Sequence, residues 1–293
     1  MTKQPIPAFA FYERLIMRLL FAWVVWVATP DKLIVNGIPS PNGIARLIDL
    51  HFLLDPHVFA FVHTALAIAL ILYLFRLLLW LALPVALFVN LALSTIVNSQ
   101  GAIQHAYQIV SLVLLAQTVA HFYGLWGRWH GDAQIDLENR AIWWSQQTIA
   151  AVYLVAGITK LIATKGLWIF QARLIGLDIA KAAYRAFYDS LDQADLKQHL
   201  AIAQFAAGHG WIVALIAAVG LLLELSSPLM LLNRAWALIL GLGLLCFHLS
   251  LDYTMRLPFI YNQWLLIIFM INVPYWIVSS VARLGVWPRP NAC

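Results

Sequence analysis

Hydrophobic residues along this chain fall in long runs separated by short polar segments. A helix needs about 20 mostly apolar residues to cross the hydrocarbon of a bilayer, and that window picks out roughly eight candidate spans. They lie near residues 14–30, 57–76, 77–97, 105–123, 141–164, 210–232, 235–252 and 258–282. The second and third form one run broken only by Arg76, which predicts a tight helical hairpin. The first is preceded by Lys3, Arg14 and Arg18 and begins like a signal peptide. It is followed by Thr29-Pro30-Asp31 rather than a small-residue cleavage site, so it reads as a retained helix.

One extended interruption stands out, from Lys165 to Gly210. It mixes Leu167, Trp168, Phe170 and Ile175 with Arg173, Asp178, Lys181, Arg185 and Asp189. Too charged to span, it predicts an amphipathic helix lying on the membrane surface. Residues 31–56, with Gly37, Pro39, Pro41 and Gly43, read as an outer loop. There is no repeat, low-complexity stretch or second domain in the pattern. The predicted fold is all-α: residues 1–293 as a single multi-pass transmembrane bundle of about eight helices plus the interfacial helix.

Composition sharpens this picture. Of 293 residues 63% are hydrophobic and 11% charged, and the mean hydropathy is +0.82, against about 25% charged residues in soluble domains. One soluble core cannot hide that much apolar surface. A soluble enzyme, a disordered chain and a disulfide scaffold are excluded. The net charge of +5 is spread without the basic clusters that nucleic acid requires, so no nucleic-acid partner is expected. The partner implied is the lipid bilayer. Cationic loops set the orientation. With the N-terminus inside, Lys3, Arg14, Arg18, Arg76, Arg128, Arg140, Arg234, Arg283 and Arg289 share the inner side, against Lys32, Arg46 and Arg256 outside. Both termini are expected in the cytoplasm, and a bacterial inner membrane is the expected location. Cys246 and Cys293 form no CxxC motif, and no HxH, HxxxH or HExxH occurs among the nine histidines, so no metal is expected.

Ionisable residues inside the spans are the candidates for chemistry, because a charge near the bilayer centre costs a few kcal/mol or more. Lys160, in AVYLVAGITKLIA, has Ala156 and Gly157 one turn earlier. Those small side chains leave room for a neighbouring helix or a flat ligand. A desolvated lysine there can act as a base near neutral pH; the alternative is a cation snorkelling to the interface. His248 and Asp252 lie four apart in CFHLSLDYT, a spacing that lets a carboxylate orient an imidazole; the alternative is a polar helix end meeting water. Glu224, deeper in GLLLELSSP, must be protonated or paired. In the fourth span His105 and His121 flank Gln108 and Gln117, and Gln117 is spaced to orient His121. Antiparallel fourth and fifth spans would put His105, not His121, at the depth of Lys160.

Several of these segments resemble a known family. VYLVAGITKL (residues 152–161), GLLLELS (220–226) and FHLSLDYTM (247–255) follow one another as in the vitamin K-dependent γ-glutamyl carboxylase and its bacterial relatives, the horizontally transferred transmembrane (HTTM) domain proteins. The stretch NSQGAIQHAYQIVSLVLLAQTVAHFYG (98–124) is similar to the family's NNH segment and the element after it, and the likeness covers roughly residues 85–275. The resemblance implies a membrane enzyme binding vitamin K hydroquinone or menaquinol, with oxygen and carbon dioxide as co-substrates and a peptide or protein as acceptor. It implies Lys160 as the hydroquinone base, with His121, His105 and His248 assisting. Tyr153, Trp143 and Trp144 would wall the ring, and Gly157, Glu224 and Asp252 would complete the ligand set. Here the NNH triplet reads Asn98-Ser99-Gln100 and the lysine before the catalytic one is Thr159. Those changes suit a rival reading, a non-catalytic module that binds quinone or lipid or assists another membrane protein. A transporter is a third reading, disfavoured by the lack of inverted repeats.

Overall fold

The computed structural model describes residues 7–33, 35, 37–101, 103, 105–131 and 136–283. Lys3, Arg289 and Cys293 lie outside the described residues, as do the side chains of His105, Arg173 and Arg283. The described chain is all-helical: α1 (Phe11–Ala28), α2 (Pro56–Leu74), α3 (Leu79–Asn98), α4 (His105–Trp129), α5 (Leu137–Ala163), α6 (Trp168–Gln171), α7 (Ile175–Ser190), α8 (Gln193–Gly208), α9 (Gly210–Leu225), α10 (Arg234–Met255), α11 (Ile260–Leu265) and α12 (Val273–Arg283). Six of its helical stretches are long and apolar enough to cross a membrane: α2, α3, α4, α5, α10 and the run Ile260–Ala282. A seventh span results if α8 and α9, which meet at 93°, count as one. The protein is thus an integral membrane protein with six or seven candidate spans. Its candidate spans are largely apolar, and side chains such as Phe61, 72% exposed on α2, face outward where lipid is the solvent.

The count falls short of the eight windows for two local reasons. In α1, Glu13, Arg14 and Arg18 put three charges into 18 residues. The run near 210–232 stops at Leu225, because Ser226 and Pro228 turn it into the 3-10 segment Ser227–Leu231; proline cannot continue the α-helical hydrogen-bond ladder. The single amphipathic helix expected between Lys165 and Gly210 is instead two main helices, α7 and α8, folded as a hairpin. Leu191 takes a left-handed φ of 58° between them, and the Asp192 carboxylate accepts from the amides of Ala194 and Asp195 to start α8.

The chain divides into two compact units: residues up to Ile149 together with Ile267 onward, and Ala150–Leu266. In the first, α1 to α4 pack with the start of α5 and with α12. Several of its buried polar side chains pair with one another. The Asn90 amide donates to Thr29 Oγ1 at 2.9 Å and accepts from Ser111 Oγ at 2.7 Å, while Thr29 donates to the Val25 carbonyl. Glu13 accepts from the Ala10 amide at 2.8 Å and from Asn272 Nδ2 at 2.5 Å, which ties the start of α1 to the chain before α12. The π-helical turn Leu266–Ile271 leaves the Phe269 carbonyl to be taken by Gln146 Nε2 at 2.7 Å.

In the second unit α7 and α8 enclose Ile179, Ala203 and Ala206. Their approach depends on Gly176: a Cβ there would lie 3.0 Å from the Ala203 carbonyl oxygen and 3.2 Å from the Ala207 nitrogen. Those are backbone atoms, which cannot rotate away as a side chain can. Gly176→Leu is therefore expected to cost about 2 kcal/mol and to loosen this hairpin, read as faster amide exchange in α7 and α8 than in α2 to α4.

Candidate functional site

The sequence-predicted residues of the second unit converge. Tyr153, Gly157 and Lys160 are spaced by four and three along α5, so they share one face. The helix ends just beyond Lys160, where Lys165 and Gly166 take left-handed φ values of 52° and 81° and the Gly166 amide donates back to the Leu161 carbonyl. Lys160 therefore sits in the last turn of α5, where a cation is favoured by the helix dipole. Glu224 occupies the last turn of α9, where a carboxylate alone is disfavoured. The two meet: Lys160 Nζ donates to both Glu224 oxygens, at 2.5 and 2.6 Å. The carboxylate side chain is 4% exposed and the lysine side chain 27%. Trp168 of α6 lies on the other side of the ammonium, its ring centroid 5.5 Å from Nζ.

Gly157 makes this pair possible in a way the sequence left open. A Cβ at Gly157 would lie 3.0 Å from Leu225 and 3.3 Å from Glu224 Cβ. The space beside it is filled by helix α9, the first of its two expected occupants, and not by a flat ligand. The close approach brings the carboxylate to the lysine.

A second pair adjoins the first. His248 Nε2 of α10 lies 3.0 Å from the Tyr153 hydroxyl, and both side chains are buried. The Asn262 side chain of α11 also hydrogen-bonds Tyr153, and because Asn262 Oδ1 has no partner, its amide nitrogen is the donor. The contact is bridged either by the tyrosine proton, with the imidazole hydrogen on Nδ1, or by an Nε2–H, with Nδ1 bare. That Nδ1 is buried with no hydrogen-bond partner. Asp252 is not the partner that orients His248, as its spacing had suggested; Tyr153 takes that place. Asn262 was not singled out by sequence reasoning: neutral, it offered no cost-of-burial signal. Tyr153 was expected as a wall for the ring; its hydroxyl as the partner of His248 was not, because that contact depends on how α5 and α10 are rotated.

The remaining predicted residues belong to the first unit. Trp144 meets Tyr123, ring centroids 5.9 Å apart, and Trp143 is half-buried in the same part of α5. Gln117 does not orient His121. Its carboxamide accepts from the Tyr73 hydroxyl at 2.9 Å and donates to Ser145 Oγ at 3.1 Å. His121 instead lines a cavity of about 360 Å³ within that unit, together with Gln117 and Tyr73. His105 is the first residue of α4. Among the described residues no three His, Cys, Asp or Glu side chains are grouped as a metal site.

The Lys160 to Glu224 pair should be strongly coupled. Removing one partner of a buried pair costs about 3 kcal/mol, whereas replacing both by apolar residues is close to neutral. Lys160→Met is expected to lower stability by about that amount, and adding Glu224→Leu to restore most of it. Unfolding titrations in mixed micelles measure the cycle, and additive losses would show the two side chains to be independent. Comparison of the chain with protein-family models, with curated proteins and with solved structures returned no match.

Proposed function

We propose that this protein is a membrane enzyme that uses a reduced quinone, related in chemistry to the carboxylase whose segments it resembles, with Lys160 as the base toward a phenolic hydroxyl. The observation that carries the reading is the bidentate contact of Lys160 with Glu224 at 2.5 and 2.6 Å. A lysine acts as a base only after giving up a proton, and Glu224 is in place to receive it. In apolar surroundings a neutral amine beside a neutral carboxylic acid avoids the desolvation that an ion pair must offset.

The donor set suits vitamin K hydroquinone or menaquinol. His248 Nδ1 and Asn262 Oδ1 are buried without partners, and a hydroxyl, being both donor and acceptor, complements either. When bound, the reduced quinone supplies the hydroxyls and the electrons with which oxygen reacts. Tyr153 and Asn262 hold the imidazole in place, Lys160 and Glu224 move the proton, and Trp168 shields the ammonium from solvent. Exclusion of water protects a reactive oxyanion from quenching. Carbon dioxide and a peptide or protein acceptor are the further co-substrates in this reading. Both termini lie on the cytoplasmic side of a bacterial inner membrane.

A second reading, a quinone- or lipid-binding module without catalysis, is favoured by the same pair seen differently. Both Glu224 oxygens already engage Lys160, an arrangement that also suits a permanent clamp between α5 and α9. Lys160→Arg separates the two, since arginine keeps a carboxylate pair but cannot surrender its proton. The full chain in nanodiscs, given vitamin K hydroquinone or reduced menaquinone with oxygen, is expected to form the quinone epoxide, detected by mass spectrometry. The Arg variant should keep the unfolding midpoint and lose turnover by at least ~100-fold. Undiminished turnover by that variant would refute the assignment of Lys160, and absence of epoxide with the parent chain would leave the binding module.

A further inference from the structure

The first unit holds a polar centre of opposite character. Its cavity of about 360 Å³ lies where α1 begins, α2 ends, α3 begins, α4 ends and α5 begins. Among the described residues, four arginines, Arg14, Arg18, Arg76 and Arg128, and a single carboxylate, Glu138, line it. Glu138 is shared: Arg14 lies 3.6 Å, Arg18 3.3 Å and Arg76 3.4 Å from its oxygens. Arg14 has a second anion in Asp136 at 3.0 Å. One carboxylate cannot satisfy three guanidiniums, each with five N–H donors. The pairing is incomplete on both sides: Arg14 Nε, Arg18 Nε and Arg18 Nη1 are buried without a hydrogen bond, and so is Glu138 Oε1, although Arg18 Nη1 lies 3.3 Å from it. Arg18 is the most enclosed of the three ion-paired arginines, its side chain 11% exposed.

An excess of guanidiniums over carboxylates around one hollow favours an anion, and several guanidiniums suit the tetrahedral, multidentate oxygens of phosphate better than a single planar carboxylate does. Much of the remaining lining is apolar, including Met17, Leu83, Ile142 and Phe269. Trp80, at the same cavity, is 52% exposed. A charged end and an apolar wall in one hollow match an amphiphile. Basic pockets between transmembrane helices hold acidic lipid headgroups in this way. We propose that this cavity binds the phosphate of an anionic lipid, with Arg18 at its centre, Arg76 and Arg128 at its mouth, and the lipid's apolar portion along the wall of Met17, Leu83 and Phe269. The proposal does not depend on the chemistry assigned to Lys160.

The test uses the full chain, delipidated in a neutral maltoside detergent. Three probes are titrated: phosphatidylglycerol, zwitterionic phosphatidylcholine and inorganic phosphate. Native mass spectrometry counts bound lipid, and the unfolding midpoint follows saturation. Phosphatidylglycerol is expected to bind at one saturable site and raise the midpoint, with phosphatidylcholine at least tenfold weaker and inorganic phosphate without effect at matched concentration. Arg18→Gln should weaken phosphatidylglycerol at least tenfold. Because Arg18 also pairs with Glu138, Arg76→Gln and Arg128→Gln, at more exposed positions, repeat the measurement with less risk to folding and should each weaken it severalfold. Equal binding of the two lipids, or binding unchanged in the folded variants, would overturn the proposal. Inorganic phosphate binding as tightly as the lipid would overturn the amphiphile and identify a soluble anion instead.

Discussion

Inside a bilayer a polar group that finds no partner in its own chain has no water to fall back on, and each such group costs several kcal/mol. That constraint organises this protein more than any packing preference, because its apolar side chains are nearly as content facing lipid as facing one another. The contacts that distinguish one helix arrangement from another are polar. Asn90 joins Thr29 and Ser111, Gln146 takes a carbonyl of the π-helical turn, Ser227 donates to the Ala150 carbonyl at 2.7 Å, and Lys160 meets Glu224. Each lies between residues far apart in the chain, and each fixes a helix rotation that hydrophobicity alone would leave free.

Where the same constraint is not fully met, chemistry becomes available. At the Lys160 centre of the second unit the charges of Lys160 and Glu224 balance, and the atoms left over beside Tyr153 are His248 Nδ1 and Asn262 Oδ1. Such a centre suits a neutral, hydroxyl-bearing partner and the movement of a proton. In the first unit the imbalance is one of charge, with three arginines sharing Glu138. That centre suits an anion. The two leftover inventories differ in kind, so the ligand chemistry argued for each differs as well.

Glycine shows how little of this is written in polarity. Gly157 carries no chemistry, yet without the space it leaves beside α9, Leu225 and Glu224 could not come so near α5. Gly220 and Gly243 act similarly between α9 and α10, where an added Cβ would meet Phe247 or Leu223. The polar pairs rest on these close approaches, and a close approach in lipid rests on small side chains.

The all-helical, membrane-embedded character was legible from the length and polarity of the runs, since a bilayer imposes a length that a sequence either meets or does not. Lys160, Glu224 and His248 were legible too, because a costly group in an apolar run announces itself. Their partners were not. The Tyr153 hydroxyl, the Asn262 amide and the place of Trp168 beside the ammonium depend on helix rotation, which runs apolar on every side do not encode. The same holds for Arg14, Arg18 and Arg76: as a sequence they read as an inner-face charge bias, and only the tertiary structure turned them toward a shared Glu138 and a cavity. Hydrophobic length is a local property of the chain, whereas polar satisfaction is a property of pairs, and pairs are decided by how helices pack.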